Sequence, residues 1–260
     1  MSPETSRSAP QRAPGRAAPD SALDPGPDLA LYLVTDRGLC GARGVAETVR
    51  RAVDGGVGIV QLRDKHADAA EQLREAERIA AAIDGRAAFV INDRLDVALA
   101  ARERGIPVDG VHLGQGDTAV LRAREALGPN AIIGLTANTD AHLAALARLP
   151  RGTVDHIGVG VIRPTSTKPD HPPALGIAGF ARLAEASSVP CVAIGGVGLA
   201  DAAALRQAGA AGIAVVSALC AAPDPELAAR ELLAAWGAGA SARAAAAGAA
   251  AGTGAKEGAI

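Results

Sequence analysis

A unit that recurs eight times between residues 29 and 236 limits what this chain can fold into. Each unit is a short apolar run, a polar turn and a longer stretch rich in Ala, Leu, Arg and Glu. The apolar runs are 29–34, 57–62, 87–91, 110–113, 131–135, 154–159, 190–194 and 212–216. Between them lie 44–54, 67–83, 95–104, 118–127, 139–148, 177–187, 199–208 and 225–236, which are expected to be helical. In 67–83, for instance, Leu73, Ala76, Ala80 and Ile83 keep the three-to-four spacing of one buried helix face. Strands separated by helices pair in parallel, because each return must cross over the sheet. Eight such units predict a closed (β/α)8 barrel, an α/β single domain of about 200 to 250 residues. A doubly wound open sheet is the alternative. No Gly-x-Gly-x-x-Gly opens the first helix, so its dinucleotide-binding form has little support. In a barrel the chemistry collects at the C-terminal ends of the strands.

Composition narrows the function. Apolar residues are 49 % of the chain and aromatics 2 %, so a large core is built from Ala, Val, Leu and Ile. A net charge of -2 argues against a general nucleic-acid or membrane surface. Cys40, Cys191 and Cys220 are scattered and lack metal-ligand spacing, so they read as buried or free thiols. Reduced thiols suit a cytoplasmic protein. No apolar run reaches the length of about 18 residues that a membrane span needs. The N-terminus has no signal-peptide core. Residues 1–28, rich in Pro, Ser, Ala and Arg, are expected to be a disordered leader. Residues 29–236 are the expected barrel domain, and 237–260 an Ala/Gly-rich tail that could form a loose helix.

The candidate functional residues stand where the runs end. Gln61, Arg63 and Lys65 alternate as the second run closes, so an extended backbone points them one way. Arginine offers a bidentate fork to phosphate and lysine a point charge. A solvated strand end, with Asp64 pairing locally, is the plainer alternative. Asn92 and Asp93 close the third run, and Asp117 follows the fourth. Each could cap the helix that follows it. Together, two carboxylates on neighbouring strand ends suit Mg2+, which keeps waters and takes further ligands from phosphate. Asp109 precedes the fourth run and belongs to the opposite end. His112 is assigned a structural role, and His156 and His171 none. Thr136 ends the fifth run, where its hydroxyl serves either a leaving oxygen or a turn. Thr165, Ser166, Thr167 and Lys168 form a proline-bounded polar loop after the sixth run, either an anion-binding loop or ordinary surface. Gly195-Gly196 and Val216-Ser217 follow the last two runs, where barrels often bind a phosphate.

Six fragments in order resemble the thiamine-phosphate synthase family. They are Val60-Gln61-Leu62-Arg63-Asp64-Lys65, Ile91-Asn92-Asp93, the stretch 110–117, the stretch 158–168, Ala193-Ile194-Gly195-Gly196-Val197, and the stretch 209–217. The resemblance covers about residues 31–221. It implies a TIM-barrel transferase that joins a hydroxymethylpyrimidine diphosphate to a thiazole phosphate and releases pyrophosphate. By the same resemblance Gln61, Arg63, Lys65, Asn92 and Lys168 would hold the pyrimidine diphosphate, with Thr136 at a position where the family usually has serine. Asp93 and Asp117 would be the magnesium ligands. Thr165, Thr167, Gly195, Gly196, Val216 and Ser217 would hold the thiazole phosphate, with Ser166 in the same loop. A thiazole tautomerase of related sequence, or a non-catalytic thiazole-phosphate binder, would need less of this set. Small molecules are the expected partners, with no nucleic acid and no membrane. The oligomeric state stays open, a homodimer included.

Overall fold

A computed structural model describes residues 27–115, 119–165, 167 and 173–253. Eight parallel strands close into a barrel in sequence order: β1 Leu31–Val34, β2 Ile59–Leu62, β3 Ala88–Asn92, β4 Gly110–Leu113, β5 Ile132–Thr136, β6 His156–Gly160, β7 Cys191–Ile194 and β8 Gly212–Val215. β8 returns to β1, with Leu33 opposite Val215. The expected (β/α)8 barrel is therefore what the chain forms, and the open sheet is excluded.

The helices between strands are α1 Arg37–Cys40, α2 Val45–Asp54, α3 Ala69–Ile83, α4 Leu95–Glu103, α5 Val120–Leu127, α6 Asp140–Leu146, α7 Gly176–Ala186, α8 Leu199–Gln207, α9 Ser217–Cys220 and α10 Pro225–Thr253. Local chemistry sets several starts. Asp68 and Glu71 form a reciprocal capping box at α3. Thr139 accepts from the His142 N–H to cap α6. α10 runs past Trp236, the expected end of the barrel domain. Alanine is the best helix former, and the helix still packs at Gly239, where a Cβ would lie 2.5 Å from the Ala203 carbonyl oxygen on α8. Trp236 itself is buried, with the Arg206 guanidinium 4.6 Å from its ring centre.

The two-residue period of each strand divides the core. Outward side chains such as Leu33, Val60, Ile91, Val111, Leu113, Ile133 and Ile157 pack under the helices. Fully burying one such side chain stabilises by about 1.5–3 kcal/mol. Inward side chains form a smaller cluster of Tyr32, Val34, Ile59, Val90, Val192 and Ala214. Gln61, His112 and His156 share these inward registers, so the barrel's interior is part polar. That polar part lies beneath the C-terminal mouth.

Candidate active site

At that mouth is a cavity of about 140 Å³, lined by Gln61, Arg63, Asn92, Thr136, Thr165, Thr167, Gly195, Gly196, Val216 and Ser217. Ten of the residues expected from sequence thus meet in one place. A groove of about 730 Å³ adjoins the cavity and shares Arg63 and Thr167 with it. A larger depression, about 860 Å³, lies at the opposite face. There Asp109 accepts from the Phe89 N–H and Asp155 from the Ile133 N–H, so these carboxylates close strand starts.

Lys65 departs from the expected common face with Gln61 and Arg63. β2 pairing ends at Leu62, and Asp64 then turns the chain by accepting from the His66 and Ala67 N–H groups. Lys65 therefore lines the outer groove rather than the cavity. Asp64 also takes the Arg37 guanidinium at 3.0 Å. These bonds hold the Asp64 carboxyl below its usual range although partial burial, the largest single influence, pushes it up. Asp64 thus bonds both locally, to the two main-chain N–H groups, and across to Arg37. Among the described residues neither Arg63 nor Lys65 is paired with a carboxylate.

Gln61 is buried and its amide donates to the Tyr32 hydroxyl at 2.7 Å. Burial pushes the Tyr32 phenol well above its ordinary value, so the ring stays neutral. Asn92 and Asp93 do not cap α4, whose N-cap is Arg94. Asp93 sits in the left-handed region at φ 63, a conformation uncommon outside glycine. Its N–H continues the ladder to the His112 carbonyl, and its carboxylate accepts from Gly114 N–H at 3.2 Å and Asn92 Nδ2 at 2.6 Å. The carboxylate is thereby aimed across the ends of β3 and β4. Asp117, Ser166, Lys168 and His171 lie outside the described residues.

The loops after β6 and β7 are tied together by main chain. Ile162 and Arg163 N–H groups donate to the Gly195 carbonyl. A Cβ at Gly195 would come within 2.0 Å of Val161, and one at Gly196 within 2.7 Å of Arg163. Both glycines have positive φ as well. The Arg163 guanidinium donates to Asp201 Oδ1 at 2.7 and 3.1 Å, which anchors the segment after β6 to α8.

Residues 31–219 match the model of the thiamine monophosphate synthase family. A thiamine-phosphate synthase of Azorhizobium caulinodans is 49% identical over 206 residues, which are 79% of this chain and 93% of that protein. One from a Psychrobacter species is 46% identical over 206 residues, covering 79% and 94%. The solved thiamine phosphate pyrophosphorylase of Pyrococcus furiosus superimposes with a TM-score of 0.70 at 31% identity, over 82% of this chain and 97% of that one. The chain belongs to the thiamine-phosphate synthase family.

Members of this family are transferases, and the tautomerase alternative finds no support among these relatives. Three polar residues at or below the cavity were not among the site residues expected from the sequence: Asn138 and Tyr32 were assigned nothing, and His112 only a structural role. Asn138 lines the cavity and donates to the Gly160 carbonyl at 3.1 Å. Its signal was its place two residues beyond Thr136. His112 lines the cavity too, with Nε2 3.1 Å from Thr136 Oγ1. Alternation marks it, since Val111 and Leu113 on either side face outward. Tyr32 lies deeper, and nothing in the sequence ties it to Gln61.

Proposed function

We propose that the chain condenses 4-amino-2-methyl-5-hydroxymethylpyrimidine diphosphate with 4-methyl-5-(2-phosphooxyethyl)thiazole to give thiamine phosphate and pyrophosphate, in the cavity at the C-terminal mouth. The observation that carries this is the meeting of ten expected residues around one cavity, with Arg63 there and Lys65 in the adjoining groove, neither paired with a carboxylate among the described residues. The cavity suits a heteroaromatic ring, and the outer groove past Arg63 and Lys65 suits the phosphates. Arg63, Lys65 and Lys168 are the diphosphate's cations in this reading, with Gln61 and Asn92 as neutral donors. Thr165, Ser166, Thr167, Gly195, Gly196, Val216 and Ser217 hold the thiazole phosphate.

The C–O bond between the pyrimidine methylene and the diphosphate breaks first, and its electron pair leaves with pyrophosphate. The aminopyrimidine ring stabilises the carbocation. The thiazole nitrogen then attacks, and the C–N bond forms. Such a step needs charge stabilisation on the leaving group and a positioned nucleophile, with little general acid or base. Arg63 and the Thr136 hydroxyl meet the developing charge. The glycine-bounded loops fix the thiazole.

Asp93 and Asp117 are the proposed magnesium ligands. Asp93 fits that role: it is a half-buried carboxylate held by Gly114 N–H and by Asn92, which itself lines the cavity. Few protein carboxylates suffice when phosphate supplies the other oxygens. Bound there, the ion supplies neutralisation of charge on the leaving diphosphate. A cytoplasmic location agrees with the three buried free thiols, and no helix among the described residues is long and apolar enough to cross a membrane. The test is a coupled assay for pyrophosphate, with magnesium or with EDTA. Release that needs both substrates and the metal supports the function. No release from folded protein, as from a tautomerase or a binder, refutes it. An undiminished rate in EDTA refutes the metal role alone.

A further inference from the structure

His112 is a buried polar residue inside the barrel to which the mechanism above gives no task. An inward position that only needs filling takes an aliphatic side chain, as Val90 and Val192 do. An imidazole there gives up water and must recover hydrogen bonds from the protein. The fold has cleared a slot for this ring. Gly134 on β5 and Gly158 on β6 face it without side chains. A Cβ on Gly134 would lie 2.4 Å from His112 Nδ1 and 2.7 Å from His156 Nε2, and one on Gly158 3.2 Å from His112 Cε1. The His156 ring packs on a further side, at 5.9 Å between centroids and tilted by 37°. Held in this way, the ring places Nε2 3.1 Å from Thr136 Oγ1. The end of β5 is fixed as well, because Gln115 Nε2 donates to the Thr136 carbonyl at 2.6 Å.

We propose that His112 is a positioning residue: its Nε2–H donates to Thr136 Oγ1 and turns the threonine's own hydrogen into the cavity. A hydroxyl has one hydrogen and two acceptor positions. Were Nε2 the acceptor, that hydrogen would be consumed and the cavity would meet lone pairs, which repel a leaving diphosphate. With Nε2 as donor, the hydroxyl hydrogen is left for the anion and its rotor is fixed before substrate arrives. This rests on the proposed function, in which an anion leaves from this cavity. Histidine and threonine then act as one unit, and the methyl that distinguishes Thr136 from the family's usual serine leaves the hydroxyl fewer rotamers to choose from.

The experiment compares His112→Asn, His112→Gln, Thr136→Val and the Asn/Val double variant, by kinetics and by nitrogen-15 NMR of the imidazole. Gln carries its amide nitrogen about as far out as Nε2, whereas Asn reaches only as far as Nδ1. We expect His112→Asn to lose on the order of tenfold in kcat with KM values little changed, the cost typical of losing a supporting hydrogen bond. His112→Gln keeps kcat within about threefold, and in the Thr136→Val background His112→Asn adds less than about twofold, because there is no hydroxyl left to orient. Equal losses from Asn and Gln, additive losses in the double variant, or full activity in His112→Asn would overturn the proposal. NMR decides it without turnover. Nε2 carrying the hydrogen, with slowed exchange that is lost in Thr136→Val, supports it, and an Nδ1–H tautomer overturns it. Wild-type protein that releases no pyrophosphate sinks the function and leaves the hydrogen bond to be judged by the NMR result.

Discussion

Between pH 7 and pH 5 the wild-type chain should lose more stability than a His156→Gln variant of it. His156 is buried inside the barrel, edge-on to Tyr32 at 5.9 Å and beside His112. Burial, and secondarily the field of His112, pull its pKa from 6.5 down to about 3. The folded chain therefore keeps this ring neutral at pH 5, while the unfolded chain protonates it. The sign follows from proton counts: below pH 6.5 the unfolded state binds more protons, so stability falls as pH falls from 6.5 toward 3. Each unit of that window is worth about 1.36 kcal/mol. The stretch from 6.5 to 5 thus removes about 2 kcal/mol. For a chain of this size that is a shift of about 4–8 °C in Tm. The assay is thermal or denaturant unfolding of both proteins at pH 7 and pH 5. Glutamine does not titrate, so the other groups' contributions cancel in the difference. The wild type's drop should exceed the variant's by that amount. Parallel drops would show that the ring protonates in the folded state, and the account of a closed barrel interior would fail.

The remaining predictions concern the site and its support. Arg63→Ala and Lys168→Ala should each lose on the order of 10²–10³ in turnover while melting like the wild type, and normal turnover from either would remove it from the diphosphate grip. Lys65→Arg keeps the charge yet replaces a compact ammonium by a planar fork, and a loss of about tenfold in kcat/KM for the pyrimidine substrate is expected. An unchanged value would mean that charge alone matters in the outer groove. Gly134→Ala drives a methyl against two buried imidazoles and should cost about 1–3 kcal/mol in chemical denaturation, since neither ring has room to retreat; wild-type stability would mean the slot is looser than drawn. Arg163→Ala frees the segment after β6 from Asp201 and should raise KM for the thiazole phosphate by about three- to tenfold. The guanidinium is half exposed, so little stability should go with it.

The barrel was legible because parallel strands are covered on both sides: helices outside, the interior cluster within. That double burial makes each strand a nearly unbroken apolar run, and the recurrence of the runs carries the topology. The boundaries shifted by a residue or two, as at residues 57–62 against Ile59–Leu62, because apolar character continues past the last ladder hydrogen bond. Helices α1 and α9 were not legible, since four residues are too few to show a period. α10 outran its expected end because an alanine-rich stretch gives no edge to read.

The site divides along a related line. Residues whose job is to meet solvent-borne charge announce themselves by type, and the lysines show this best. The whole chain has only three, at positions 65, 168 and 256, and otherwise meets its need for cations with arginine. Two of the three stand in the motifs that carry the family resemblance. In the proposed reaction Arg63 supplies arginine's fork, and an ammonium would add a point charge able to follow the departing diphosphate. His112, Asn138 and Tyr32 were left out of the expected site for the opposite reason. Each acts on a protein atom, through Thr136, Gly160 and Gln61, so its chemistry is set by the register of a neighbouring strand, and one strand's sequence holds no record of the strand beside it.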